Sequence, residues 1–295
     1  MKNRELKQQI GLIIFFIILC ALILIPFLLL LSVSFSNEQD VVKYGYRIIP
    51  KRIDLAAYKF VFKNPAQILN AYKVTAFFSV VATVLSTLFM AMCAFPLSQK
   101  NVKGRGKVSL YLYFTMLFNG GLVPSYILIT QYLHLGDTIW VYIIPGLISP
   151  WSVFVMRTFF AGLPTELFES MQIDGASVYD IFFKTVLPLS KPVLASIALM
   201  TFLAKWNDWY TAMLYINNEN LISLQYLLQR IMNNLKLLQE MASSGSSALL
   251  AESSKVPSET VRMAMAVVVA GPALVIFPFF QKYFVKGLTV GAVKG

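Results

Sequence analysis

Residues Pro164 to Pro192 read Pro-Thr-Glu-Leu-Phe-Glu-Ser-Met-Gln-Ile-Asp-Gly-Ala-Ser-Val-Tyr-Asp-Ile-Phe-Phe-Lys-Thr-Val-Leu-Pro-Leu-Ser-Lys-Pro. Long apolar segments stand on both sides of this polar stretch, so its own structure decides how the chain is organised. Pro164 suits the first turn of a helix, where its missing N–H has no bond to lose. Glu166 and Glu169 fall early in that helix, where the positive end of its dipole favours carboxylates. Gly175 can adopt the left-handed turn that stops a helix. Ser177 and Asp180 stand as Ser-x-x-Asp, a capping-box start for a second short helix. Pro188 is expected to end that helix, and Ser190 with Pro192 to cap the next apolar segment. The stretch therefore reads as a helix–turn–helix, too polar to cross a bilayer, held between segments that can.

The surroundings agree with a membrane setting. The chain is 57% hydrophobic and 13% charged, whereas a soluble domain carries about 25% charged residues. Apolar blocks run over Ile10–Ser34, Ala71–Leu97, Ser109–Tyr132, Thr138–Phe160, Pro192–Ile216 and Met263–Gln281. A bilayer needs about 20 helical residues, so each block is long enough or nearly so. The expectation is an all-α membrane protein of six transmembrane helices, organised as one permease domain over residues 1–295. Its transport core covers about residues 71–285. Ile10–Ser34 exceeds a signal-peptide core and is followed by no small-residue cleavage site, so it is expected to stay as an anchor, kinked at Pro26. Asn119-Gly120-Gly121 and Pro124 interrupt the third block, and Pro145 and Pro150 lie in the fourth.

The net charge of +11 sits beside these blocks, without the aromatic–basic interleaving of a nucleic-acid site. It is assigned to topology and lipid headgroups. Lys and Arg divide nearly evenly between the two sides, but the short N-terminal tail and the Lys100–Lys107 loop carry them densely. Short loops weigh most in the positive-inside rule, which puts both termini and the 164–192 loop in the cytoplasm. Cys20 and Cys93 lie within apolar blocks, and His134 is the sole histidine, so no dedicated metal site is expected. No P-loop is present: Gly104-Arg105-Gly106-Lys107 lacks the earlier glycine and the following Ser or Thr. The chain is expected to bind no ATP through a P-loop of its own.

Polar groups are scarce in the apolar blocks, which disfavours a membrane-embedded enzyme. The exception is Lys205-Trp206-Asn207-Asp208-Trp209. A mid-bilayer charge costs about 2.5–3.5 kcal/mol on insertion scales, so such residues normally face a bundle interior or wet cavity. Lys205 and Asp208 are three apart and could pair on a helix. Two readings stand: Trp206, Asn207 and Asp208 line a solute path, or the segment ends here with Trp206 and Trp209 as interfacial anchors. Between the last two blocks, Leu224, Leu228, Ile231, Leu235 and Leu238 form a helical stripe interrupted by Gln225, Gln229, Arg230, Asn233 and Lys236. That helix either lies on the membrane or the bundle, or is a platform for an extracytoplasmic partner. Ser243-Ser244-Gly245-Ser246-Ser247 after it reads as a flexible connector.

Glu169, Asp174, Gly175, Leu187 and Pro188 resemble the EAA loop of binding-protein-dependent ABC importer permeases. Ser170 and Met171 replace the two alanines of that loop, and Thr185 stands where an aliphatic is usual. The end of the chain, Gln281 to Gly295 with Gly287-Leu288-Thr289-Val290-Gly291-Ala292-Val293-Lys294-Gly295, is similar to the tail of the MalG-type subunit of maltose-class carbohydrate importers. The Phe202–Trp209 region and Gly120-Gly121-Leu122-Val123-Pro124 also resemble carbohydrate permeases, the latter stretch those of the lipoprotein-dependent branch in Gram-positive bacteria. The resemblance implies a type I permease fold in a bacterial cell membrane. It also implies a second, non-identical permease subunit, an ABC ATPase dimer that binds ATP and Mg, and an extracytoplasmic sugar-binding lipoprotein. Glu169, Ser170, Met171, Asp174, Gly175, Leu187 and Pro188 would then dock on the ATPase, and Lys294 and Gly295 would reach between its subunits. The shared fold leaves other solutes open, such as a glycerol phosphodiester. An ATP-independent carrier is a further alternative, against which the EAA loop argues.

Overall fold

The computed structural model describes residues 2–243 and 258–292, whose regular elements are all helices apart from one antiparallel bridge between Ser36 and Ile53. Helix α1 (Lys2–Ser34) runs unbroken through Pro26. It is followed by α2 (Glu38–Tyr44), α3 (Ala56–Val61) and α4 (Pro65–Ser98). Next come α5 (Arg105–Leu117) and α6 (Leu122–Ile127), the latter continuing through a π-turn at Leu128–Tyr132. Two 3-10 turns, Ile139–Tyr142 and Ile144–Gly146, precede α7 (Pro150–Ala161). The 164–190 loop holds α8 (Thr165–Ile173), α9 (Val178–Ile181), a π-turn (Phe182–Val186) and α10 (Leu187–Leu189). Then follow α11 (Lys191–Trp206), α12 (Tyr210–Tyr215), α13 (Leu224–Ser243) and α14 (Glu259–Ala292).

Among the described residues, Gln9–Ser34 and Pro65–Ser98 are long and apolar enough to cross a bilayer as single helices. Three bent pairs pass the same test only when taken together. The third block is not a straight span: α5 and the α6 segment meet at 113°. Gly121 causes this turn, with φ +88 and its N–H bonded to Asn119 Oδ1 (2.8 Å). The fourth block bends by 51° between Gly146 and Pro150, where closely spaced prolines interrupt the helical ladder. Pro188 does not end its helix. The π-turn before it leaves Pro188 in the first turn of α10, where no N–H is needed, and the chain turns by 79° only after Leu189. Ser190 stands at the N-cap of α11 without a capping bond, and its buried Oγ has no hydrogen-bond partner.

Two compact units form, residues 1–68 with 228–272, and residues 69–227 with 273–295. In the first, a polar clasp ties the segment after α1 to the start of α14. Glu38 accepts the backbone N–H groups of Ser258, Glu259 and Thr260 (3.0, 3.0 and 2.9 Å) and the Thr260 hydroxyl (2.6 Å). A carboxylate is the right group there, because the first N–H groups of a helix have no partners within it. In the second unit one apolar core joins six elements. Met90, Ala94 and Phe95 of α4 pack with Val153, Met156 and Phe160 of α7, Phe168 of α8, Ile181, Phe182 and Val186 after it, and Val193 and Ile197 of α11.

Candidate functional site

The 164–190 loop is built as a rigid piece. Pro164 is the N-cap of α8 rather than a residue of its first turn, with Thr165 opening the helix. The helix closes on a Schellman motif: Ala176 N–H donates to Met171 O (2.9 Å), Gly175 N–H donates to Gln172 O (3.1 Å), and Gly175 has φ +78. The Ser177–Asp180 capping box is present in both directions, Asp180 N–H donating to Ser177 Oγ and Ser177 N–H to Asp180 Oδ2. Asp180 also pairs with Lys184 one turn on. The Lys184 ammonium first, and the Ser177 hydroxyl second, hold the Asp180 carboxyl down at about 2.

Burial divides the loop into two faces. Phe168 is the one buried side chain of α8, and its ring meets Phe95 of α4 edge-on at 6.2 Å. Phe182 meets the same Phe95 ring at 5.6 Å. Much of the rest of the loop is exposed: Ile173 (86%), Tyr179 (71%) and Val178 (66%), and also Glu166, Glu169, Ser170 and Asp174. Exposed side chains this large on rigid short helices suit insertion into a partner's cleft. Of the residues singled out in sequence, Glu169, Ser170, Asp174, Gly175 and Pro188 are exposed, while Met171 and Leu187 are half-buried against the core. Met171 and Thr185, two of the departures from the EAA pattern, meet each other: Thr185 Oγ1 lies 2.7 Å from Met171 Sδ. Met171 thus turns back toward its own subunit.

At the far end of α11 the Lys205–Trp209 stretch is divided by the helix end. The helix stops at Trp206, so Lys205 and Asp208 are not one turn apart on a continuing helix as expected. Lys205 Nζ donates instead to the carbonyl of Tyr142, and Asp208 accepts the N–H of Thr211 (3.0 Å), opening α12. Trp206 is buried, stacked on Phe202 at 5.8 Å and beside Tyr72 at 6.4 Å. Asn207 is exposed, accepts from Gln225 Nε2 (2.9 Å) and donates to Leu203 O (2.8 Å). Asp208 is half-buried.

Sequence reading missed the groups that fix this end. Asp137, at φ +56, accepts the N–H groups of Asn217 and Asn218 (3.0 and 2.7 Å). Tyr142 stacks on Phe78 (4.2 Å, 6°) and donates its hydroxyl to Leu221 O (2.8 Å). Thr75 Oγ1 accepts the N–H of Leu224 at the start of α13 (2.8 Å). The pair Gly136-Asp137, a turn signal, was the one available hint. In α13, Leu224, Leu228 and Leu235 are buried as the stripe requires. Lys294 and Gly295, and residues 244–247 of the expected connector, lie outside the described residues; α14 runs on to Ala292, well past Gln281.

Residues 64–290 match the profile of the family described as binding-protein-dependent transport system inner membrane component. Protein LplC of Bacillus subtilis is 36% identical over 275 residues, covering 93% of this chain and 90% of the relative. The polygalacturonan/rhamnogalacturonan transport system permease protein YtcP of the same organism is 34% identical over 296 residues, covering 100% of both. Among solved structures, a bacterial ABC transporter involved in the import of the acidic polysaccharide alginate matches with a TM-score of 0.79 at 30% identity, covering 93% of this chain and 95% of that one.

Proposed function

The chain belongs to the binding-protein-dependent transport system inner membrane component family, and from that membership we propose how it works as a permease subunit of an ABC importer for sugars or oligosaccharides. It is a transporter subunit rather than an enzyme. Taken with α14, the two long helices and three bent pairs make six membrane spans in a single permease domain, with both termini cytoplasmic. The exposed face of the 164–190 loop docks in the cleft of a separate ATPase, through Glu169, Ser170, Asp174, Gly175 and Pro188, with Met171 and Leu187 supporting it from behind. Lys294 and Gly295 reach the same ATPase pair, which binds ATP and Mg. A second, non-identical permease completes the path, past Asn207 and Asp208 with Trp206 as backing. A sugar-binding lipoprotein docks on the outer face, which includes α13.

The observation that carries this reading is the fusion of the loop with the spans. Phe168, Ile181, Phe182 and Val186 share one buried core with α4, α7 and α11. Movement imposed on the loop by ATP-driven closure therefore moves three spans, because a close-packed core transmits displacement rather than absorbing it. Gly175→Asp tests it. The added Cβ meets open space, but at φ +78 it forces a left-handed L-residue and places a carboxylate beside Asp174 on the docking face. The backbone cost is about 1–2 kcal/mol, too little to prevent insertion. The expected variant is membrane-inserted, with ATP hydrolysis uncoupled from solute; normal uptake at normal expression refutes the docking.

A further inference from the structure

Lys205 is a charged group at the end of α11 that the transport scheme leaves without a task. It occupies the last turn of α11, and its ammonium bonds to the carbonyl of Tyr142. Gly146 makes room for it: a Cβ on Gly146 would lie 2.9 Å from Lys205 Nζ and 3.5 Å from its Cε. Tyr142 is itself immobilised, by its stack on Phe78 and by its hydroxyl bond to Leu221 O. Tyr142 and Gly146 lie on one side of the 51° break, and α7 starts on the other at Pro150. A break with no tie across it is a hinge, and motion arriving along α7 would be lost there.

We infer that Lys205 is a positioning residue for transport, a latch that bridges this break. The inference rests on the coupling reading above. The 164–190 loop joins α7 to α11, two arms of about 18 and 24 Å at 1.5 Å per residue. At the loop end the arms are locked by the apolar core. At the far end Lys205 locks α11 to the segment beyond the break in the other arm. The hairpin is closed at both ends, and the loop's displacement arrives undiminished at Asn207 and Asp208, the residues next along the chain. A lysine suits the task. Its desolvation is offset by a strong charge-assisted bond, and its slender stem enters a notch that a glycine leaves open.

The test uses the assembled importer in liposomes, with Cys20 and Cys93 changed to serine and spin labels on cysteines replacing the exposed Trp140 and Met200, which lie on either side of the latch. Distances are read without nucleotide and with trapped ATP. Wild type should give one narrow distribution in both states. Lys205→Met, which keeps the bulk and removes the donor, should widen it about twofold, and so should Gly146→Ala, which leaves the lysine present but pushes its ammonium away. The double variant should be no wider than the worse single, because both changes break the same bond. Lys205→Arg, which keeps a donor, should be narrower than Lys205→Met. Wild-type widths in both singles, or effects that add in the double, overturn the latch. A wild-type complex in which ATP moves neither the loop nor any span would instead sink the coupling reading.

Discussion

Replacing Phe168 with alanine separates the 164–190 loop from the span core at one point. Phe168 is 6% exposed and is the one buried side chain of α8. A buried phenylalanine hides about 150–250 Å², which at roughly 25 cal/mol per Å² is about 4–6 kcal/mol. That is an upper bound, since an unfolded chain already hides part of the area, and large-to-small series give about 3–5 kcal/mol. Helix α8 has nine residues, and isolated helices shorter than about 12–15 residues are marginal in water. The half-buried Met171 and Leu163 cannot replace the ring. The loss therefore falls on α8 locally, while the α4, α7 and α11 core keeps its other members. Hydrogen exchange read by mass spectrometry on residues 164–176, in lipid nanodiscs, should show protection lowered by roughly 10²–10⁴-fold, the factor that about 3–5 kcal/mol implies. Protection of α4 and α7 should stay near wild type, and ATP-driven uptake should be lost at normal membrane levels. Unchanged α8 protection, or loss spread evenly through the chain, would refute the view that one ring anchors the lever.

Two further outcomes follow from the same loop. Asp180 has its folded-state value lowered to about 2 from an ordinary 3.8, so the capping box contributes its full stability above about 3.8 and loses it as pH falls toward 2. Protection of residues 178–186, corrected for intrinsic exchange, should be flat from pH 8 to about pH 5 and fall only below about pH 4; a drop near neutrality would show that Asp180 is not held as described. Met171→Ala should weaken α8 by up to about 2 kcal/mol, the low end for buried methionine because the side chain is half-buried. It also leaves the Thr185 hydroxyl without its sulfur partner. Met171→Ala combined with Thr185→Val should recover part of that loss in a thermal melt, the part due to the unpartnered hydroxyl, and a double variant no better than the single would show that the two positions are independent.

The local chemistry of the loop was legible because each of its devices is short-range. Gly175 and the Ser177–Asp180 box are fixed by neighbours within six residues, and both formed as read. The stripe of α13 was legible for the same reason. The misreadings came where a local rule met a longer-range one. Pro188 breaks a regular α-ladder, but a π-turn at Phe182–Val186 shifts the ladder so that the proline fits. Lys205 and Asp208 have the spacing of a helical pair, but the helix ends between them and Tyr142, sixty-three positions earlier, supplies the acceptor. No pattern in sequence announces a backbone carbonyl as a partner, because every residue has one.

The same distinction bears on the departures from the EAA pattern. Read singly, Met171 is an oversized residue on the docking helix and Thr185 a polar one in place of an aliphatic. Together they are one contact, placed behind the docking face and against the core. The exposed face keeps Glu169, Asp174 and Gly175 clear for a partner, and the change in bulk is absorbed inside the subunit. Of the two replaced alanines, Met171 is thus taken up within the subunit together with Thr185, while Ser170 stays on the exposed face. Under the proposed docking, an ATPase would meet the turn and its acidic rim, while Phe168 and Met171 pack against the span core.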